Sequence, residues 1–292
     1  MKVASKLGLA AALTVCAGVA HALSQPWQLN MTQGVTETSR TVYDIHMIGL
    51  IVCCVIGVLV FGAMFFAMWK FRKSRGVVAA TWSHNTVAEI IWTVVPILTL
   101  IILAWPATNV MIKMAYTEDS QMTVKITGYQ WKWGYDYLNY GDKPYHVHFI
   151  SKLDAASDKT RQLKSGLDPF AVKQGGEQTY LLDVDHPLVV PIDTKIRFVV
   201  TGDDVIHAWW VPQLGWKQDA IPGIINDAWT NIHDPGIYRG QCAELCGQDH
   251  GFMPIVVKAV SKDEFVKWLD EQEAAAKPAA PAPAAAAPTA AG

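Results

Sequence analysis

Two long apolar runs separated by a cluster of cations constrain this chain before any motif does. Ile45 to Trp69 is a stretch of 25 residues with no charge apart from a possible one on His46 at its edge, long enough to cross the ~30 Å hydrocarbon core of a bilayer. Ile90 to Ala107 is a second run. Trp92 and Trp105 lie near its ends, where aromatic rings anchor at a membrane surface, and Pro96 inside it is expected to kink the helix. Between the runs stand Lys70, Arg72, Lys73 and Arg75. Four cations in a short connection mark the cytoplasmic side, so segment 23–44 and everything after about residue 110 should lie outside the cytoplasm. Residues 1–22 agree independently. Lys2 and Lys6, the apolar stretch Leu7 to Ala20 and the A-x-A site Ala20-His21-Ala22 form a secretory signal pattern, with a retained anchor as the alternative.

After the hairpin the pattern changes. Residues 113–273 carry 16 Lys and Arg against 23 Asp and Glu, an acidic balance that points to a basic partner and away from nucleic acid. Met122 to Thr127 and Lys195 to Val200 alternate with period two, and Ile255-Val256-Val257 is a short apolar run. Thr179 to Val190 and Trp229 to Tyr238 are predicted as further strands, and 139–178 as a long loop. Several short strands with Gly, Pro and Asp turns suggest a β-sandwich or barrel. Ser261-Lys262-Asp263-Glu264 is a capping box, followed by Phe265, Trp268 and Leu269 at helical spacing, so a short helix is expected to about Glu273. The Ala/Pro composition of 274–292 cannot build a core.

One loop carries chemistry. Cys242, Cys246, His250 and Met253 stand at C-x3-C-x3-H-x2-M spacing, a soft and borderline donor set that suits copper. His207, 35 residues before Cys242, ends a predicted stretch and can be brought beside the loop by a β-sandwich, as in cupredoxins. A blue-copper site takes two His, one Cys and a weak Met. Here a second Cys is present, and two thiolates can bridge two ions, with one His for each and Met253 as a weak ligand to one. A backbone carbonyl of the loop could serve the other. A Cys242–Cys246 disulfide leaves His207, His250 and Met253 unexplained. A zinc site of the two Cys and two His leaves Met253 unused. Both remain alternatives at this point.

Over residues 30–273 the chain resembles subunit II of haem–copper cytochrome c oxidase, the aa3 type. The resemblance rests on the helical hairpin, Glu89-Ile90-Ile91-Trp92-Thr93-Val94-Val95-Pro96, Gln130-Trp131-Lys132-Trp133, Asp204-Val205-Ile206-His207-Ala208-Trp209, Ala220-Ile221-Pro222-Gly223 and the Cys/His/Met loop, in the family's order. It implies a membrane-anchored α+β chain, a transmembrane hairpin at 45–110 followed by a cupredoxin-like β-sandwich or barrel at 111–273. It implies a dinuclear copper centre, CuA, with ligands His207, Cys242, Cys246, His250, Met253 and the backbone carbonyl of Glu244. The Glu244 side chain is then expected to help hold Mg2+ or Mn2+ shared with subunit I, which a lone carboxylate cannot hold by itself. Trp131 matches the residue that receives the electron from cytochrome c, although Lys132 stands where many relatives have an aromatic. Asp136, Asp203 and Asp204 match acidic docking positions. Glu89 matches the carboxylate at the mouth of a proton pathway into subunit I. The implied partners are subunit I with its haem and CuB, subunit III, cytochrome c and the lipid of a bacterial inner membrane, with the large domain periplasmic. A soluble nitrous oxide reductase has no such hairpin, a quinol oxidase subunit II lacks these copper ligands, and a copper chaperone or zinc-stabilised module would use the hairpin only as an anchor. A fused cytochrome c domain would need C-x-x-C-H, which this sequence lacks.

Overall fold

The computed structural model describes residues 27–161 and 179–276. The signal pattern at 1–22, residues 162–178 of the expected loop and all but the first three residues of the Ala/Pro tail lie outside the described residues.

The two apolar runs are the middles of two longer helices, α1 (Glu37–Lys70) and α2 (Thr86–Ala115). At ~1.5 Å per residue both exceed the ~30 Å of a hydrocarbon core. Residues 37–44, expected as part of an extracytoplasmic segment, are therefore helical and carry α1 beyond the membrane. Pro96 and Pro106 both lie within continuous α2. None of the residues of α2 is buried, and in α1 only Thr38 and Ser39 are. Apolar helix surfaces this exposed need lipid or protein around them rather than water.

Polar contacts tie both outer helix ends to the β-domain. Thr36 caps α1 in a reciprocal box with Ser39, each backbone N–H donating to the other's hydroxyl at 3.0 Å. The Thr36 hydroxyl also donates to the Leu214 carbonyl at 3.0 Å, and the Val35 N–H donates to that of Gln213. At the end of α2, Trp229 Nε1 donates to the Lys113 carbonyl at 3.0 Å, and the Lys195 ammonium lies over both Tyr116 and Trp229.

The domain is a sandwich of two five-stranded sheets. One contains β1 (Met122–Tyr129), β2 (Lys132–Tyr140), β3 (Lys143–Ser151), β5 (Ile196–Gly202) and β8 (Asn226–Thr230), in the order β3-β2-β1-β5-β8. The other contains β4 (Leu188–Pro191), β6 (His207–Val211), β7 (Trp216–Ala220), β9 (Gly236–Cys242) and β10 (Pro254–Val260), in the order β4-β10-β9-β6-β7. Alternation places Met122, Val124 and Ile126 of β1 and Ile196, Phe198 and Val200 of β5 fully inside. Trp209 stacks between Phe198 and Trp216, with centroids 5.6 and 5.0 Å away. A C-terminal helix, α4 (Lys262–Ala276), closes one side through Phe265 and Leu269, with the Ser261 hydroxyl accepting from Glu264 N–H as the capping box predicts.

Four expectations need correction. The region 139–178 holds β3 and a short helix, α3 (Ala155–Thr160). The β2–β3 turn is Gly141-Asp142, and β3 buries Tyr145 and Val147 while His146 and His148 face out. Flanking charges and Pro144 hide so short an alternation. Only Leu188–Pro191 of the run 179–190 pairs as a strand. The run 229–238 is two strands in different sheets, divided at His233-Asp234-Pro235-Gly236. Finally, α4 continues to Ala276, three residues into the expected tail.

Candidate metal centre

His207 is the first residue of β6 and Cys242 the last of β9, and these strands are neighbours. Trp209 pairs with Cys242, and Ala243 N–H extends the ladder to the Ala208 carbonyl. The loop after Cys242 returns at once, because Pro254 of β10 pairs with Gln241. Strand pairing thus brings both ends of the ligand loop to the sheet end that carries His207.

The donors converge. Those of His207, Cys242 and Cys246 lie within 4.8 Å of one another. Cys242 Sγ is 3.8 Å from Cys246 Sγ and 3.9 Å from His207 Nδ1. Cys246 Sγ is 3.5 Å from both His250 Nδ1 and Met253 Sδ. The sixth sequence-implied group, the Glu244 carbonyl, lies 3.3 Å from Cys242 Sγ. Sulfurs 3.8 Å apart are not a disulfide, whose length is ~2.05 Å, but they can both bind one ion at ~2.3 Å. The sulfur pair has a histidine on each side and a thioether on one. That donor set fits soft thiolate-bridged copper, and zinc would leave the converging Met253 unused.

The surroundings fix these groups. His207 is fully buried, and its Nε2 is 2.9 Å from Asp204 Oδ1, which leaves Nδ1 for the metal. The Asp204 carboxylate also accepts from the Gln130 and Val205 N–H groups at 2.7 Å. Gly128 lets His207 sit this close, since a Cβ there would lie 2.8 Å from its ring. Burial pushes the Cys242 thiol up, but its bonds with His207 and the backbone of Ala208 and Glu244 outweigh this and bring it down to about 7. Burial, then the neighbouring Cys242, pushes Cys246 up to about 12. A second thiolate is thus disfavoured beside the first, and the charge of a bound metal would offset this.

Trp131 is half-buried against the loop. Its Nε1 and the Gln130 amide both donate to the Cys246 carbonyl, at 3.2 and 2.9 Å. Gly247, at φ +114°, makes room, because a Cβ would lie 3.2 Å from the Trp131 ring. The Trp133 Nε1 donates to the Met253 carbonyl at 3.3 Å. The Glu244 side chain is exposed beside Leu245, which is 78% exposed.

Both halves of the chain match one family. The transmembrane domain of cytochrome c oxidase subunit II matches residues 24–110, and its periplasmic domain matches residues 122–260. The chain belongs to the cytochrome c oxidase subunit II family. It is 36% identical over 252 residues to cytochrome c oxidase subunit 2 of Mycosarcoma maydis, covering 85% of this chain and 92% of that protein. It is 34% identical over 254 residues to that of Cyanidium caldarium, with the same coverage. The crystal structure of the periplasmic domain of subunit II of cytochrome oxidase from Bradyrhizobium japonicum is 37% identical and covers 55% of this chain and 99% of that chain, with a TM-score of 0.44. Membership makes this chain a membrane-anchored component of an oxidoreductase complex with a periplasmic-type domain, and it implies a copper site there.

Apart from Asp204 on His207, the remaining residues singled out in the sequence are dispersed. Asp136 sits on β2, bonded to His148 at 2.7 Å, and Asp203 and Asp204 lie between β5 and β6. Glu89 is in the first turn of α2, where Oε1 accepts from Asn85 N–H at 3.2 Å. Sequence reasoning missed Arg161 and Asp249, whose pairing joins the ligand loop to α3. The His207–Asp204 contact was legible only as the Asp-x-x-His spacing.

Proposed function

We propose that this chain is the subunit through which electrons from cytochrome c pass into a cytochrome c oxidase, bound for haem in subunit I, where O2 is reduced to water and protons are pumped. The observation that carries the proposal is the gathering of two imidazoles and a thioether, from β6 and the β9–β10 loop, around the sulfur pair of Cys242 and Cys246. His207, Cys242, Cys246, His250, Met253 and the Glu244 carbonyl would hold two copper ions. When bound, that pair supplies one-electron exchange with little change of shape.

The chain's own residues do the rest. Strands β6, β9 and β10 hold the donors in place, so that little reorganisation accompanies a change of charge. Asp204 orients His207 and keeps Nδ1 directed at the thiolates. Trp131 offers a conjugated ring joined by one hydrogen bond to the backbone of Cys246, a short route from the surface to a ligand. Asp136, Asp203 and Asp204, within an acidic domain, would attract a basic cytochrome. The exposed Glu244 carboxylate would give one oxygen to Mg2+ or Mn2+, with subunit I completing the shell. Glu89, ionisable at the cytoplasmic end of α2, would receive protons bound for subunit I. Subunit III and a bacterial inner membrane complete the setting.

The test is spectroscopic. The full chain, purified in detergent and loaded with copper, should bind two ions and show the hyperfine pattern of one electron shared by two copper nuclei. A single-copper pattern, or a colourless zinc protein, would sink the proposal.

A further inference from the structure

The two ligand histidines are held very differently. His207 is fully buried and has a carboxylate on its far nitrogen. His250 is half-buried, and its Nε2 has no hydrogen-bond partner among the described residues; its ring reaches only the thiols. Its orientation must therefore come from the short turn that carries it, where the Phe252 N–H donates to the Asp249 carbonyl at 2.9 Å. The other loop ligands have anchors of their own. Cys242 lies in β9, Cys246 has the Gln130 and Trp131 bonds, and Met253 has the Trp133 bond.

The residues flanking His250 are gripped from outside the loop. Arg161 follows α3, whose first turn is capped by Asp154, with Oδ2 accepting from the Ala156 and Ser157 N–H groups at 2.9 and 3.0 Å. The Arg161 N–H donates to the Ser157 carbonyl at 2.9 Å. The Arg161 side chain is only 5% exposed. Its guanidinium donates to Asp249 Oδ2 at 3.2 Å, pairs with Asp158 at 2.9 Å and lies 4.6 Å from the Phe252 ring centroid. Burying a guanidinium is unfavourable unless it is well paired, and planar two-sided contacts with carboxylate and ring are what arginine provides and lysine does not. The side chain touches the residue before His250 and the second residue after it, and no ligand directly.

We infer that Arg161 is a positioning residue for the metal centre: it clamps Asp249 and Phe252 and thereby fixes His250 as a ligand. This rests on the copper reading above. Without the guanidinium, the bond to Asp249 and the contact with the Phe252 ring are both lost, and the 249–252 turn that carries His250 relaxes. Loss of a direct partner of a ligand lowers metal affinity about 10–100-fold in other sites, and a clamp one residue further out is expected at the low end of that range.

The test uses the assembled oxidase carrying Arg161→Met, Arg161→Lys or Asp249→Asn, with Ile196→Val as a control that loosens the core far from the loop. Copper content, the copper EPR and visible spectra, the midpoint potential and the rate of copper loss to a chelator are read for each, with the thermal midpoint alongside. Expected for Arg161→Met are a full copper complement after loading, an altered EPR spectrum and midpoint potential, and copper loss about 10-fold faster or more. Arg161→Lys should fall between it and the unsubstituted protein, and Asp249→Asn should shift the same readouts in the same direction. Should Arg161→Met not assemble, the lysine and asparagine variants decide. Unchanged spectra and copper-loss rates in all three, or equal changes in Ile196→Val at the same thermal midpoint, overturn the inference. If the unsubstituted oxidase lacks the dinuclear signal, the functional reading itself fails and takes this inference with it.

Discussion

Two pairs of cysteines divide the molecule. Cys53 and Cys54 are adjacent on α1 and exposed, while Cys242 and Cys246 are buried at the end of the β-sandwich. The residue type is the same, and its surroundings give it opposite significance. On α1 a thiol is one small apolar group among many exposed ones, and neither shape nor polarity there is tied to a partner atom among the described residues. In the loop each sulfur has neighbours at 3.3 to 3.9 Å that come from different elements. The membrane half is specified by hydropathy and length. The extramembrane half is specified by pairing register, and every ligand depends on it.

The largest expected effect is therefore a test of that division. Cys242→Ser or Cys246→Ser removes one of the two thiol donors, and the dinuclear copper signal and electron transfer from cytochrome c should both disappear. Cys53→Ser with Cys54→Ser should leave copper content and turnover unchanged. Loss of copper in the helix variant, or its retention as a dinuclear pair in either loop variant, would break the comparison.

Next is the core that holds the register. Trp209→Ala removes a ring stacked against Phe198 and Trp216 within the strand that pairs with Cys242. A loss of about 3–5 kcal/mol is expected, measured by denaturant unfolding, together with weaker copper retention. Replacement of Leu100 by Ile on α2, where the side chain is 66% exposed, should stay within about 0.5 kcal/mol. Equal losses at both positions would mean that α2 packs as tightly as the sandwich.

A smaller and more selective effect is expected at Trp131. Trp131→Phe keeps a ring but deletes the Nε1 bond to the Cys246 carbonyl, a loss of about 1 kcal/mol. Copper content should be retained, while the rate of reduction by cytochrome c falls by at least about 10-fold, a change equivalent to roughly 1.4 kcal/mol in barrier. Stopped-flow reduction separates the two. A proportional fall in copper and rate would make Trp131 only a packing residue.

The same division explains what the sequence could disclose. Hydropathy and four cations are enough to identify α1, α2 and their connection, because a bilayer imposes one requirement along the whole segment. The ligand loop is legible because its donors are close in sequence, from Cys242 to Met253. Contacts that depend on chain crossings were hidden. β3 has only two buried apolar side chains on its inward face, Tyr145 and Val147. Trp229 and Tyr238 fall in one run of sequence but in different sheets. Arg161 and Asp249 are 88 positions apart, and nothing local in either neighbourhood distinguishes their pairing from two solvated charges.

The smallest effect probes how one ligand is held, through pH. In the metal-free protein burial pushes Asp204 up, but the bond from His207 and the N–H groups of Gln130 and Val205 outweigh it, so its carboxyl lies below the usual range. Burial pushes His207 down, but its bonds with Cys242 and Asp204 outweigh that and hold it above its usual value. The signs follow by linkage. The Asp204 contribution is fully present above its unfolded value of ~3.9 and is lost as pH falls through the lower folded value. The His207 contribution is fully present below its unfolded value of ~6.5 and is lost as pH rises through the higher folded value. Both act together between about pH 4 and 6.5. Asp204→Asn should thus destabilise the metal-free chain by about 1 kcal/mol in that window, a charge-assisted bond discounted because a third of the side chain stays wet. The difference should shrink at higher pH, where His207 is neutral. Denaturant midpoints measured from pH 4 to 9 give the curve. A deficit that is flat across this range would show that Asp204 acts through its two backbone bonds alone, and His207 would then owe its orientation to burial and to Gly128 rather than to a carboxylate.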